Sequence, residues 1–289
     1  MRERLMPAWL RGHCRLGLSR EAVSVLRIGA SRKSAPVVVD RPLPDLAQAA
    51  PDELAAQIAV ALDEAGGRGL PVYATFADDL VRYFIVTPPG NSARMQDLRA
   101  AAEVRFVVLY GESAAGWQLV GDWQAAAPFL ACAVSQRLHT ALQLAVRTQR
   151  GCLVSIAPNF ICAWNRWRRR VAADAWLATL HDGTLTLGLV ASGARARLAA
   201  VRTLALPEDA PPLAWLHEQV ARAALLDNLQ APSVLHLHGP LLDAWQPHAA
   251  SSGDAGMAVR WCAADQAAPG LAGTHLSAAA QLAWGGATP

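Results

Sequence analysis

Two turn-broken β-ribbons, one near the start of the chain and one just past its middle, constrain the fold more than any other feature of this sequence. Residues 15–27 read RLGLSREAVSVLR: an apolar run, a turn, then a second apolar run. Residues 176–202, WLATLHDGTLTLGLVASGARARLAAVR, repeat the idea on a larger scale, with turn residues at Asp182-Gly183 and Ser192-Gly193. Apolar and β-branched runs broken by Gly, Ser and Asp read as hairpins. Each ribbon opens a half of the chain, which suggests a duplicated architecture. A length of 289 residues allows two domains.

Between and after the ribbons, helices alternate with strands. PVVVD (36–40) reads as a third strand. PDELAAQIAVALDEAGG reads as a helix with Leu54, Ile58, Ala61, Leu62 and Ala65 on one face, Asp52 as its cap and Gly66-Gly67 as its stop. Strands follow at 70–76 and 80–89 around an Asp78-Asp79 turn, then a helix over 92–111 with Leu98, Ala102, Phe106 and Leu109 on one face. WQLVGDW and PFLACAV read as strands, SQRLHTALQLAVRTQRG as a helix, CLVSIAP as a strand and NFICAWNRWRRRV as a helix. The later half reads as a meander over 176–206, a helix over 211–227, a strand over 233–238, a poorly patterned stretch over 246–273 and a closing helix over 275–284. Strands alternating with helices, with local antiparallel meanders, imply a mixed α/β class.

Composition narrows the function. The net charge is +3 with a single lysine, Lys33, and scattered arginines, so a nucleic-acid footprint is not expected. The one dense basic cluster is WNRWRRR, Trp164 to Arg170. It has two readings: a basic patch meeting an acidic partner or anionic lipid, or a helix end whose arginines favour the C-terminal dipole and cover tryptophan rings. Five cysteines without a CxxC spacing suggest a reducing compartment. No apolar run approaches the roughly 18 residues of a membrane span, and no signal peptide is read. The patterns GxSxG, GxxxxGK[ST], HExxH and GxGxxG do not occur. His236 and His238 share one strand face, but no third ligand stands at a suitable spacing, so no metal is expected.

Taken together, the segments RLGLSREAVSVLR, YATFADDLVRYFIVTPP, MQDLRAAAEVRFVVLYG, GDWQ (121–124), DGTLTLGLVASGARARLAAVR with Arg202, and LSAAAQLAWGG resemble the actin-like ATPase superfamily. Within it they are similar to the pilus-assembly PilM proteins and the cytoplasmic part of the type II secretion GspL proteins. The resemblance implies an α/β, actin-like (ribonuclease H-like) two-lobed fold with mixed sheets flanked by helices. Its divisions would be a lead-in over 1–11, a first lobe over 12–150 with a small inserted subdomain over about 70–134, and a second lobe over 151–289.

Nucleotide-binding members of that superfamily carry an Asp-x-Gly turn in each ribbon and paired glycines in a later loop. Here the first turn reads Gly17-Leu18-Ser19-Arg20-Glu21, with no aspartate. In the second ribbon the aspartate falls near Thr179 in one register, or at Asp182 before Gly183 in another. The later loop keeps Gly239 but has Pro240 beside it. No catalytic residue and no cofactor are therefore expected, with ATP and Mg²⁺ as the alternative. The implied role is a non-catalytic scaffold, cytoplasmic and peripheral to the inner membrane. It would bind the cytoplasmic tail of a single-pass inner-membrane protein and join it to a secretion or pilus motor ATPase. Trp164, Arg166, Trp167, Arg168, Arg169 and Arg170 are the candidate partner or membrane surface. An ATP-binding protein of the same fold and an unrelated α/β enzyme are the competing readings.

Overall fold

The computed structural model describes residues 12–31, 35–90, 94–172, 174–191, 197–207, 211–245, 256–262 and 276–286. In chain order the elements begin β1 (His13–Leu18), β2 (Ala22–Ile28), β3 (Val37–Pro42), α1 (Pro51–Glu64), β4 (Pro71–Phe76), β5 (Val81–Val86), α2 (Met95–Tyr110), β6 (Trp117–Gly121) and β7 (Phe129–Ser135). They continue with α3 (Gln136–Thr148), β8 (Cys152–Pro158), α4 (Asn159–Trp167), β9 (Ala175–His181), β10 (Thr184–Ala191), β11 (Arg197–Ala205), α5 (Leu213–Leu226), β12 (Val234–His238), β13 (Ala258–Trp261) and α6 (Ala278–Gly285). The chain packs as two compact units, one from Met1–Val81, Val134–Cys162 and Ala267–Pro289, the other from Arg82–Ala133 and Ala163–Gln266.

In the first unit the sheet order is β3-β2-β1-β4-β8. β1 to β3 form an antiparallel meander, and β4 and β8 add to β1 in parallel. α1 and α3 lie together on this sheet. The α1 stripe read from the sequence is the buried one, with Leu54, Ile58, Ala61, Leu62 and Ala65 at 2% exposure or less. Its start differs from expectation. Ala50 is the N-cap and makes no side-chain bond, Pro51 opens the helix, and Asp52 sits in the first turn beside Glu53. Proline suits that position because its missing N–H would be unpaired there in any case, and the two acids favour the positive end of the helix. Gly66, at φ +68°, turns the chain away after the helix.

The closing helix α6 packs against β1, β2 and β4 of this same unit. The sequence suggests a division near residue 150. β8 pairs with β4 and α6 sits on β1, so both elements fall in the same compact unit as the first ribbon.

In the second unit the main sheet has the order β11-β10-β9-β12-β13. β9, β10 and β11 form an antiparallel meander, and β12 and β13 add in parallel. The order and the strand senses match those of the first sheet position for position. β9, AWLATLH, is buried along its whole length, as a central strand covered on both faces must be. β13 lies within the stretch 246–273 that carried no readable pattern. A second, three-stranded sheet of order β5-β7-β6 packs against α2 around Phe84, Val86, Leu98, Phe106 and Phe129.

Candidate functional site

The first ribbon turn is closed on itself. Ser19 donates its backbone N–H to the Ala22 carbonyl at 2.9 Å. The Ser19 hydroxyl accepts from Ala22 N at 3.1 Å and reaches the Ala22 carbonyl at 3.2 Å. A loop that grips phosphate aims consecutive backbone N–H groups outward; here those of Ser19 and Ala22 are spent within the turn. Arg20 at the tip donates to Asp79 Oδ2 at 3.0 Å. Asp78, 2% exposed, accepts from the backbone N–H of Phe160 at 2.8 Å, where a carboxylate favours the start of α4. The two acids nearest the hairpin thus hold an arginine and a helix.

Gly17 lies inside β1 rather than in the loop. A Cβ there would come 1.9 Å from the Ala279 carbonyl oxygen and 2.7 Å from Ala283 N, so glycine lets α6 lie directly on the strand. Ser277 caps that helix, accepting from Ala280 N at 3.0 Å while donating to Asp40 Oδ1 at 2.8 Å.

In the second ribbon, Asp182 and Gly183 have φ of +46° and +67°. Positive φ at both central residues makes a two-residue hairpin turn whose twist suits the strands, and Asp-Gly is a favoured pair for it. The Asp182 side chain is exposed there. Thr179 is fully buried within β9, paired in register with Thr186 on β10 and His238 on β12. Thr186 in turn faces Thr203, their hydroxyls 3.4 Å apart. A polar row therefore crosses four strands of this sheet, with no carboxylate in it. Ser192 and Gly193 lie outside the described residues.

Gly239, at φ +141°, is also a packing glycine. A Cβ would lie 2.1 Å from the Leu180 carbonyl oxygen, so the close approach it permits is to β9. His238 beside it packs near Trp167, with ring centres 6.3 Å apart. Burial, reinforced by the charge of Arg166, lowers its pKa to about 4. Burial and then Arg260 lower His236 as well. Among the described residues no group of three or more His, Cys, Asp or Glu could hold a metal ion.

In the basic segment the tryptophans and arginines part company. Trp164 and Trp167 are 8% and 6% exposed, so they belong to the interior and not to a partner surface. Their spacing puts them on the apolar face of α4. Arg166, Arg168, Arg169 and Arg170 are exposed. Arg170 lies over the Trp167 ring at 5.0 Å. Arg168 opposes the upward shift that burial imposes on Asp122. Arg202, singled out by the resemblance, pairs with Asp227 at 2.6 Å and ties β11 to the end of α5.

A pocket of about 460 Å³ in the second unit brings Asp174, His217 and Ser233 together, a set the sequence did not single out because the three are far apart in the chain. Ser233 donates directly to Asp174 at 2.5 Å, and no imidazole stands between them.

No protein-family model and no curated protein sequence matches the chain. Solved structures do. The cytoplasmic domain of EpsL, an inner-membrane component of the type II secretion system of Vibrio cholerae, matches at TM-score 0.50 with 9% identity, over 80% of this chain and 83% of that one. The PilM–PilN type IV pilus biogenesis complex matches at TM-score 0.53 with 15% identity, over 81% and 82%. A Bacteroides thetaiotaomicron protein of actin-like ATPase fold and unknown function matches at 0.53 with 9% identity, over 81% and 84%. Two sheets of the same order, each opened by a meander whose first turn is a tight hairpin, thus make this an actin-like ATPase fold of the kind found in the EpsL cytoplasmic domain and in PilM.

Proposed function

We propose that the chain is a non-catalytic scaffold of a type IV pilus or type II secretion assembly. It works on the cytoplasmic face of the inner membrane, where it binds the tail of a membrane-embedded partner and links it to the motor ATPase. The observation that carries this reading is the first ribbon turn. Ser19 and Ala22 satisfy one another, Asp79 holds Arg20, and Asp78 holds α4. Retention of the fold without its phosphate grip favours a role in binding protein. No helix among the described residues is long and apolar enough to cross a membrane. Arg166, Arg168 and Arg169 are the proposed contact with an acidic segment of that assembly.

Titration calorimetry with Mg²⁺ and ATP tests the first half: no heat is expected at micromolar protein, and saturable binding would restore the nucleotide reading. Fluorescence anisotropy with labelled cytoplasmic-tail peptides of inner-membrane secretion and pilus proteins tests the second. Saturable binding of one such peptide is expected; failure of all of them would remove the scaffold assignment.

A further inference from the structure

Helix α2 is apolar on two sides. Leu98, Ala102 and Phe106 are buried against the three-stranded sheet. On the opposite side Val104 and Val108 stand 64% and 70% exposed. They belong to a stripe of Asp97, Ala101, Val104 and Val108, spaced four, three and four residues apart, which is the spacing of a helix–helix seam; Ala101, half-buried at the edge of the stripe, also packs against the sheet core. The stripe forms one wall of a groove of about 730 Å³ whose other wall is the end of β5 and the Thr87–Pro89 segment. Arg105 also lines the groove, two turns along the helix from Asp97.

We infer that this face is where a second copy of the chain docks, α2 against α2 in antiparallel sense. The stripe is self-complementary. A two-fold axis between Ala101 and Val104 sets each copy's small Ala101 opposite the other copy's Val104, so knobs meet hollows. The same operation brings Asp97 at each end within one turn of the other copy's Arg105. Such an isologous contact closes on itself and leaves no open chain of subunits. α2 has 16 residues, a length of about 24 Å at 1.5 Å per residue. A seam of that length is a small interface, at the weak end of the size range, and an affinity in the micromolar range is expected.

Sedimentation of the full chain over roughly 1 to 100 µM, a span bracketing that affinity, tests the inference. A reversible dimer is expected. Val104→Glu buries a charge in the seam and is expected to weaken it roughly tenfold or more. Arg105→Glu sets acids against one another and weakens it too, while Arg105→Lys keeps it. Both positions face outward, and unchanged circular dichroism and melting verify that each variant folds. A chain that stays monomeric throughout the range, or a dimer indifferent to Val104→Glu, overturns the inference. A dimer lost with Val104→Glu but unaffected by Arg105→Glu overturns the antiparallel arrangement.

Discussion

His238 sets how this protein responds to acid. Its folded-state pKa of about 4 lies well below the ordinary value of 6.5, because burial beside Trp167 and the Arg166 charge both disfavour the imidazolium. Between those values the unfolded chain binds a proton that the folded chain does not. The folded state therefore feels no penalty from His238 above about pH 6.5, loses stability as pH drops below that, and has lost about 3 kcal/mol from this group by about pH 4. His13, His139 and His236 shift in the same direction and add to the effect. Urea denaturation across pH 4 to 7 is expected to show this decline, with His238→Leu flattening its acid limb. The sequence announced His238 only as half of a possible ligand pair. It could not announce Trp167 or Arg166 as neighbours, because they come from a helix some 70 residues earlier.

At the scale of elements, Asp78 joins β4 to α4 by accepting from Phe160 N at 2.8 Å. Asp78→Ala strands a buried N–H and is expected to cost about 1–3 kcal/mol in chemical denaturation. Asp78→Asn, which keeps an acceptor, should cost less. The ribbons, the α1 stripe and the Asp182-Gly183 turn were legible because their signals are local: periodicity and turn chemistry within a dozen residues. The missing aspartate of the first turn was legible for the same reason. The commitments of Asp78 and Asp79 were not, since Phe160 lies 82 residues from one and Arg20 59 residues from the other. β13 was missed because four residues with alternating exposure, in a stretch rich in Ala, Gly and Ser, carry no pattern until β12 offers them an edge. The tryptophans of α4 were assigned to a surface from composition, whereas their spacing places them on the side that packs.

For the molecule as a whole, the duplication goes further in topology than in sequence. Both five-stranded sheets run third, second, first, fourth, fifth, with the same strand senses, yet in the residues only the two turn-broken ribbons recur. Different side chains satisfy the same pattern because a meander followed by parallel additions needs only apolar strands and covering helices. What distinguishes the first sheet is that its cover includes α6, from the far end of the chain. A chain ending at residue 275 is expected to unfold at lower denaturant. Its amide hydrogens in β1 and β2 should exchange fastest, as hydrogen-exchange mass spectrometry would show.

The wedge of α6 on Gly17 also dictates when folding can finish. Arg15 donates to the Trp284 carbonyl across 269 residues, so β1 waits for α6 to be synthesised. At roughly 5–20 residues per second that interval is about 13 to 54 seconds. Throughout it the nascent sheet presents a bare hydrophobic flank, the kind of surface that chaperones exist to cover.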